Sequence, residues 1–206
     1  MTPFQEIAAA AEKMSAQDLL RFAIKDKFPG RSVVTASLRA RSVAAVAMVA
    51  EIDPSTPIVF CQPSALFPES LDYRSRLVRR LGLSDVSVST GREPEVRPSD
   101  RDHFECMWVD DPVGGGRVHE IVHLNETLGE FDCWISAVYH VPKSPRARHK
   151  VDVDGRLIRI DPLIDWSEER VRMYLRQRGI PLHPRAVTAR PAAPVTEGEA
   201  SVVYCY

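Results

Sequence analysis

Four short apolar runs rich in β-branched residues divide the first 140 residues: RSVVTASL (31–38), TPIVFCQ (56–62), VSVST (86–90) and DCWISAVY (132–139). Their near-continuous apolar character is that of strands buried on both faces, which occurs chiefly in parallel sheets. Helical segments separate them. Residues 4–29 read as helical, with Ser15-Ala16-Gln17-Asp18 as a capping box and Gly30 as the stop. SVAAVAMVAEI (42–52) is an Ala-rich helix, and another runs from 68 to about 81 with Arg74, Arg76, Arg79 and Arg80 on its wet side. Strands alternating with helices predict a three-layer α/β/α fold with a mainly parallel, twisted sheet.

The rest of the chain is less periodic. Residues 91–117 are polar, with Pro and three consecutive glycines, and read as loop; a helix is expected near 117–129. VPKSPRARHK (141–150) is a basic loop, and KVDVDGRLIRIDPL contains an Asp154-Gly155 turn between alternating strands, the mark of a hairpin. WSEERVRMYLRQRG (166–179) is an amphipathic helix closed by Gly179, with Asp165 as its expected cap and Trp166 as its anchor. The last 27 residues hold four prolines and no clear period. The expected organisation is an α/β domain over 1–179 and a Pro-rich tail or lid over 180–206.

Charge narrows the partners. The 206 residues carry 27 Lys plus Arg against 28 Asp plus Glu, a formal net charge of -1, so neither a nucleic-acid coat nor a polybasic membrane binder is indicated. No stretch approaches the ~20 apolar residues that span a bilayer, and the N-terminal segment does not read as a signal peptide, so a reducing cytoplasm is the expectation. Cys61, Cys106, Cys133 and Cys205 are far apart and form no CxxC pair, against a disulfide scaffold, a zinc site or an iron–sulfur cluster. Of the 27 basic residues only 5 are Lys, which leaves 22 Arg. Genomic base composition explains such a bias, as does anion recognition, since Arg forks around carboxylates and phosphates.

Open parallel sheets bind ligands beyond the C-terminal ends of their strands. Three loops fall there: Ser37-Leu38-Arg39-Ala40-Arg41-Ser42 after the first strand, Gln62-Pro63-Ser64-Ala65 after the second, and 140–148, with Lys143, Ser144, Arg146 and Arg148, after the fourth. Hydroxyls and arginines at one sheet edge, beside a helix N-terminus, make a candidate anion pocket.

These loops also carry a resemblance. TPIVFCQPSALFPES (56–70) is similar to the strand, Asp-Thr-Gly turn and Leu-Phe-Pro-Glu-Thr of the phosphoadenosine-phosphosulfate (PAPS) reductases, members of the adenine-nucleotide alpha-hydrolase-like, PP-loop superfamily. FDCWISA (131–137) resembles their Trp-Ile-Thr-Gly strand, with Lys143-Ser144-Pro145 at the following Gln-Ser-Pro loop. IDPLIDWSEE (160–169) is similar to their Asn-Pro-Leu-x-Asp-Trp segment, and Gly179-Ile180-Pro181-Leu182-His183-Pro184 continues in register. Thr188-Ala189-Arg190-Pro191 resembles the Thr-Thr-Arg-Pro that precedes a C-terminal catalytic cysteine. The resemblance spans roughly residues 20–190. It implies a Rossmann-like fold, an adenine nucleotide or phosphosulfate substrate, a thioredoxin-like donor and a homodimer, for which the Arg-studded helix at 68–82 is a candidate interface.

Several positions depart from the family pattern. Arg39 stands near the place of a loop glycine, with Arg41 and Ser42 beyond it; Gln62 replaces the Asp and Ser64 the Gly of the turn; Tyr139-His140-Val141 replaces a pair of arginines. The cysteine pairs that hold a [4Fe–4S] cluster in one branch are absent, so no bound cluster is expected. Only Cys205, in Tyr-Cys-Tyr, can stand for the catalytic thiol. The resemblance gives it the attack on the phosphosulfate sulfur, with sulfite discharged by a dithiol. Arg190, Lys143 and Arg148 would lower its pKa and hold phosphates, together with Ser37, Arg39, Arg41, Ser42, Gln62, Ser64 and Ser144.

Blander readings stand beside these. Cys61 and Cys133 lie within apolar strands and read as core, Cys106 reads as packing or as a second nucleophile, and Cys205 has an incidental reading beside its catalytic one. His119 and His123 have the i, i+4 spacing of a metal pair but no nearby partner, so no metal site is expected. His183 closes a turn before Pro184, and His140 and His149 flank the basic loop. Three functions compete: a divergent sulfonucleotide reductase with no bound cofactor; a PP-loop enzyme that uses ATP to adenylate an acceptor, for example in sulfur insertion; and a non-catalytic nucleotide-binding paralogue, which the accumulated departures favour.

Overall fold

The structure is a computed structural model, and it describes residues 3–63, 66–92, 107–110, 117–121, 128–137, 149–154 and 156–184. Helix α1 (Pro3–Ala11) and helix α2 (Ala16–Arg21) open the chain. Ser15 caps α2, its hydroxyl oxygen accepting from the Asp18 amide at 3.2 Å, as the capping box requires. The helix then widens into a π-helical segment (Phe22–Lys27), and Gly30, at φ 67°, turns the chain into β1 (Ser32–Ala36). Then come α3 (Ala40–Ile52), β2 (Ile58–Pro63), α4 (Pro68–Leu81) and β3 (Val86–Arg92). Strands β4 (Met107–Asp110), β5 (Arg117–Ile121), β6 (Cys133–Ser136), β7 (Val151–Asp154) and β8 (Leu157–Ile160) precede helix α5 (Glu168–Gln177).

The eight strands form one sheet in the order β4-β5-β3-β2-β1-β6-β8-β7. The central five, β3-β2-β1-β6-β8, are all parallel. Antiparallel strands finish both edges: β7 returns on β8, and the β4–β5 pair joins β3. The expected three-layer α/β fold with a mainly parallel sheet is thus present, and β7 and β8 pair antiparallel as the expected hairpin requires, with Gly155 outside the described residues. Of the stretch 117–129, expected as helix, 117–121 is instead strand β5, paired with β4 inside the stretch read as loop, and 122–127 lie outside the described residues. RVHEI carries apolar residues compatible with either period, and a partner strand decides for extended backbone. His119 therefore sits on a strand, which removes the helical i, i+4 geometry from the pair with His123; His123 lies outside the described residues.

Strands β1, β2 and β6 bury both faces because alternate residues enter different cores. Val34, Ala36, Ile58, Phe60, Cys133, Ile135 and Ile160 meet the helices. Val33, Val59, Cys61, Trp134 and Leu157 form a second core on the opposite face, with Leu128 and Phe131 against it. Cys61 and Cys133 are core residues, as their runs predict. Helix α3 is buried over 42–49, all the way round. Its small Ala and Val side chains let the sheet and its neighbouring helices approach from every side, and each fully buried Val adds roughly 1.5–3 kcal/mol.

The C-terminal part folds back onto this helical layer. Ser167, rather than Asp165, caps α5, its hydroxyl oxygen accepting from the Arg170 amide at 3.2 Å. Asp165 pairs instead with Lys150 at 3.3 Å. Trp166 is the expected anchor, buried in the main core and stacked edge-to-face on Tyr174. Gly179, at φ 62°, ends the helix in a Schellman turn, with the Ile180 amide donating to the Leu175 carbonyl and the Gly179 amide to Arg176. The chain beyond Gly179 stays packed through 184: Ile180 is in the core, and the Tyr73 hydroxyl donates to the Pro181 carbonyl at 2.7 Å.

Candidate functional site

The strand order reverses at β1. From β1 the chain crosses through α3 to β2 on one side, whereas β6 lies on the other. The C-terminal ends of β1 and β6 therefore flank the switch point, the crevice where an open α/β sheet accepts a ligand. Ser37 follows β1 and Ala137 follows β6, one on each side of it.

A chain of buried hydroxyls ties the two together. The Arg39 amide donates to Ser37 Oγ at 3.4 Å, the Ser37 and Ser42 hydroxyls lie 3.1 Å apart, and Ser42 donates to the Ala137 carbonyl at 2.5 Å. Since Ser42 spends its proton on Ala137, the shared bond must run from Ser37 to Ser42. The network fixes the β1–α3 turn against the end of β6. Arg39 occupies the N-cap of α3 without a side-chain cap. The first amides of the helix, which have no intrahelical acceptor, receive no acceptor from the N-cap side chain either, and they lie at the C-terminal edge with the positive end of the helix dipole. Both serines and Arg39 are thus brought to the crevice.

Arg41 is differently employed. Its guanidinium donates to the carbonyls of Leu163 and Trp166, the latter at 2.8 Å, and approaches Glu168 at 3.3 Å. It pins the start of α3 to the turn before α5. Gln62, at the end of β2, accepts a hydrogen bond from Arg74 of α4. Arg74 is half-buried rather than on the wet side, unlike Arg76, Arg79 and Arg80. Ser64, Lys143, Ser144, Arg148, Arg190 and Cys205 lie outside the described residues.

On the opposite face, a polar row crosses the C-terminal ends of three parallel strands. Thr35 of β1 is in register with Ser136 of β6, and Ser136 hydrogen-bonds Asp161, just past β8. Trp134 Nε1 donates to Thr35 Oγ1 at 2.8 Å. Burial pushes the Asp161 carboxyl up to about 6, against the opposing pull of Arg159, 3.3 Å away, and of the Ser136 hydroxyl. Sequence reading passed over Asp161 and Arg74. Asp161 was legible as an acid directly ending an apolar strand; Arg74 carried no signal, because its partner comes from another element.

The segment 180–184 returns to the same edge. His183 is buried, its Nε2 3.0 Å from Ser70 Oγ in the first turn of α4, and its ring meets Tyr73 edge-to-face at 5.1 Å. Of the described cysteines, Cys133 has its thiol pushed up to about 12 by burial, so it is protonated at neutral pH. Among the described residues no cluster of three or more His, Cys, Asp or Glu is placed to hold a metal ion, and no helix is long and apolar enough to cross a membrane.

The sequence profile of the phosphoadenosine phosphosulfate reductase domain matches residues 31–185, from the start of β1 to just past His183. The chain belongs to the phosphoadenosine phosphosulfate reductase family. Among relatives, it is 27% identical over 187 residues to the phosphoadenosine 5'-phosphosulfate reductase of Alkalilimnicola ehrlichii, covering 87% of this chain and 73% of that protein. To the reductase of the same name from Aliivibrio salmonicida it is 25% identical over 185 residues, covering 87% and 72%. The fold of this family member is similar to the crystal structure of phosphoadenylyl-sulfate (PAPS) reductase from Candida auris in its phosphate complex, with a TM-score of 0.66 at 12% identity over 97% of this chain and 98% of that one. Identities near 25% fit a divergent phosphoadenosine phosphosulfate reductase family member.

Proposed function

We propose that this chain is a divergent sulfonucleotide reductase that holds an adenine phosphosulfate at the crevice between β1 and β6 and reduces it through Cys205. The observation that carries the reading is the hydroxyl-braced β1–α3 turn at the strand-order reversal, in a chain whose residues 31–185 match the reductase domain. Ser37 and Ser42 hold the turn, so the amides opening α3 and the Arg39 side chain take the phosphate. Arg41 serves this site through structure, by fixing the helix start.

Cys205 as thiolate attacks the sulfate sulfur. The S–O bond to the phosphate breaks, and the adenosine phosphate leaves with its electron pair, giving an S-sulfonate on Cys205. A thioredoxin-like dithiol then attacks the Cys205 sulfur and expels sulfite. Its second thiol resolves the mixed disulfide, so two electrons pass from the dithiol to sulfur. Packing of 180–184 on the first turn of α4 supports this route, because it starts the C-terminal segment at the crevice end of the sheet. The roughly 20 residues from there to Cys205 have ample reach at about 3.3 Å each. Lys143, Ser144, Arg148 and Arg190 complete the anion site in this reading, with Gln62 and Ser64 bordering it.

The test is turnover of phosphoadenosine phosphosulfate with a reduced thioredoxin, followed by sulfite release and by intact mass. Wild type accumulates an S-sulfonate when the dithiol is omitted, and Cys205→Ser forms neither adduct nor sulfite. Unchanged sulfite release from Cys205→Ser removes the mechanism.

A further inference from the structure

Most of the described arginines that bind another side chain have a carboxylate partner. Arg31 grips Asp132 at 2.7 and 3.0 Å, Arg76 meets Asp72 at 2.9 Å, and Arg178 holds Glu51 at 2.6 Å. Arg41 reaches Glu168, Arg156 reaches Asp132, and Arg159 lies between Asp152 and Asp161. Arg74 differs in kind. Its side-chain partner is the amide oxygen of Gln62, a neutral acceptor in a part-buried setting. An amide aims a guanidinium without cancelling its charge, and it takes up only one of five N–H donors.

Position adds to this. Helix α4 starts directly after β2, so its N-terminal half lies at the C-terminal edge of the sheet. Long helical side chains lean toward the N-terminus of their own helix, which carries Arg74 toward that edge, where Gln62 receives it. Gln62 is two residues beyond Phe60, so both fall on the helix-facing side of β2, the side on which α3 begins. Arg74 and the uncapped start of α3 thus share one end and one face of neighbouring strands.

We propose that Arg74, aimed by Gln62, is a phosphate-contacting residue of this chain. The proposal rests on the nucleotide-binding reading above and deepens it: the β2–α4 side of the site contributes a full positive charge toward an anionic group of the nucleotide. A carboxylate at 62 would pair with Arg74 and cancel that charge, whereas Gln62 preserves it. The partly buried setting shields the contact from salt.

The experiment measures dissociation constants of adenosine, adenosine 5'-monophosphate and adenosine 3',5'-bisphosphate for the full chain and for the Arg74→Gln and Gln62→Glu variants. Both variants should bind at least one phosphorylated nucleotide about 10-fold or more weakly than wild type, the scale of one charge-assisted hydrogen bond, with adenosine unaffected. Gln62→Glu keeps Arg74 in place, so its loss reports charge and not packing. A deficit confined to the bisphosphate places the contact at the 3'-phosphate, and one shared by both at the 5'-phosphate. Wild-type affinity for both phosphorylated nucleotides in Gln62→Glu and Arg74→Gln overturns the proposal and leaves the nucleotide reading standing. Failure of wild type itself to prefer phosphorylated nucleotides overturns both.

Discussion

Replacing Asp161 by Asn isolates the cost of the polar row. Asp161 stands in the Asp-Pro-Leu stretch where the family pattern carries Asn, and its carboxyl is raised from 3.8 to about 6 by burial. Below pH 4 both folded and unfolded chains hold the proton, and the group is neutral for stability. Between pH 4 and 6 the unfolded chain releases the proton while the folded chain keeps it, so stability falls as pH rises. Above pH 6 the penalty is complete, at about 3 kcal/mol for a displacement of that size. The groups that set it are Arg159 and Ser136, which favour the carboxylate, and Asp152, which opposes it. Asn keeps the shape of the protonated acid and cannot ionise, so Asp161→Asn should stabilise the protein by about 1–3 kcal/mol at pH 7.5, or roughly 2–4 °C in Tm per kcal/mol for a chain of this size. The gain should shrink toward zero at pH 4. Urea unfolding followed by tryptophan fluorescence at pH 4, 5.5 and 7.5 reads it directly. A variant less stable than wild type at pH 7.5, or a gain independent of pH, would refute the reasoning.

Two further outcomes follow from contacts at the same end of the sheet and in its core. Arg41→Met strands the carbonyls of Leu163 and Trp166, so it should cost about 2–4 kcal/mol in urea unfolding; a loss below about 0.5 kcal/mol would mean that the tie is idle. Cys133, with its thiol near 12, should resist iodoacetamide at pH 8 in the folded protein and react on unfolding in guanidinium, as read by peptide mass; rapid alkylation of the native protein would contradict its burial.

The layer order and the parallel centre were legible because β1, β2 and β6 are short apolar runs that must be covered on both faces, and helical segments alternate with them along the chain. Helix α3 was legible for a related reason, since its Ala and Val residues leave no polar face. At 117–121 the local pattern fits helix and strand equally, and the choice is made by antiparallel pairing with β4. The α5 cap shows the same limit on a smaller scale: Asp165 and Ser167 are both capping types, and Lys150 draws Asp165 away. The crevice was legible in part. Ser37, Ser42 and Arg39 follow from the rule that ligands meet strand ends, but the division of labour among the arginines does not. Arg41 points into the turn at 163–166 and Arg74 toward Gln62, and both choices are made by partners that only the fold supplies.

The central claim is that the crevice between β1 and β6 holds an adenine phosphonucleotide. Thermal unfolding of the full chain with adenosine, adenosine 3',5'-bisphosphate, phosphoadenosine phosphosulfate and ATP tests it most directly, because a ligand of the folded state raises Tm with its occupancy. The account predicts a concentration-dependent rise with the bisphosphate and the phosphosulfate, lost when Ser42→Ala loosens the β1–α3 turn. No rise with any phosphorylated nucleotide, at concentrations up to millimolar, would contradict it.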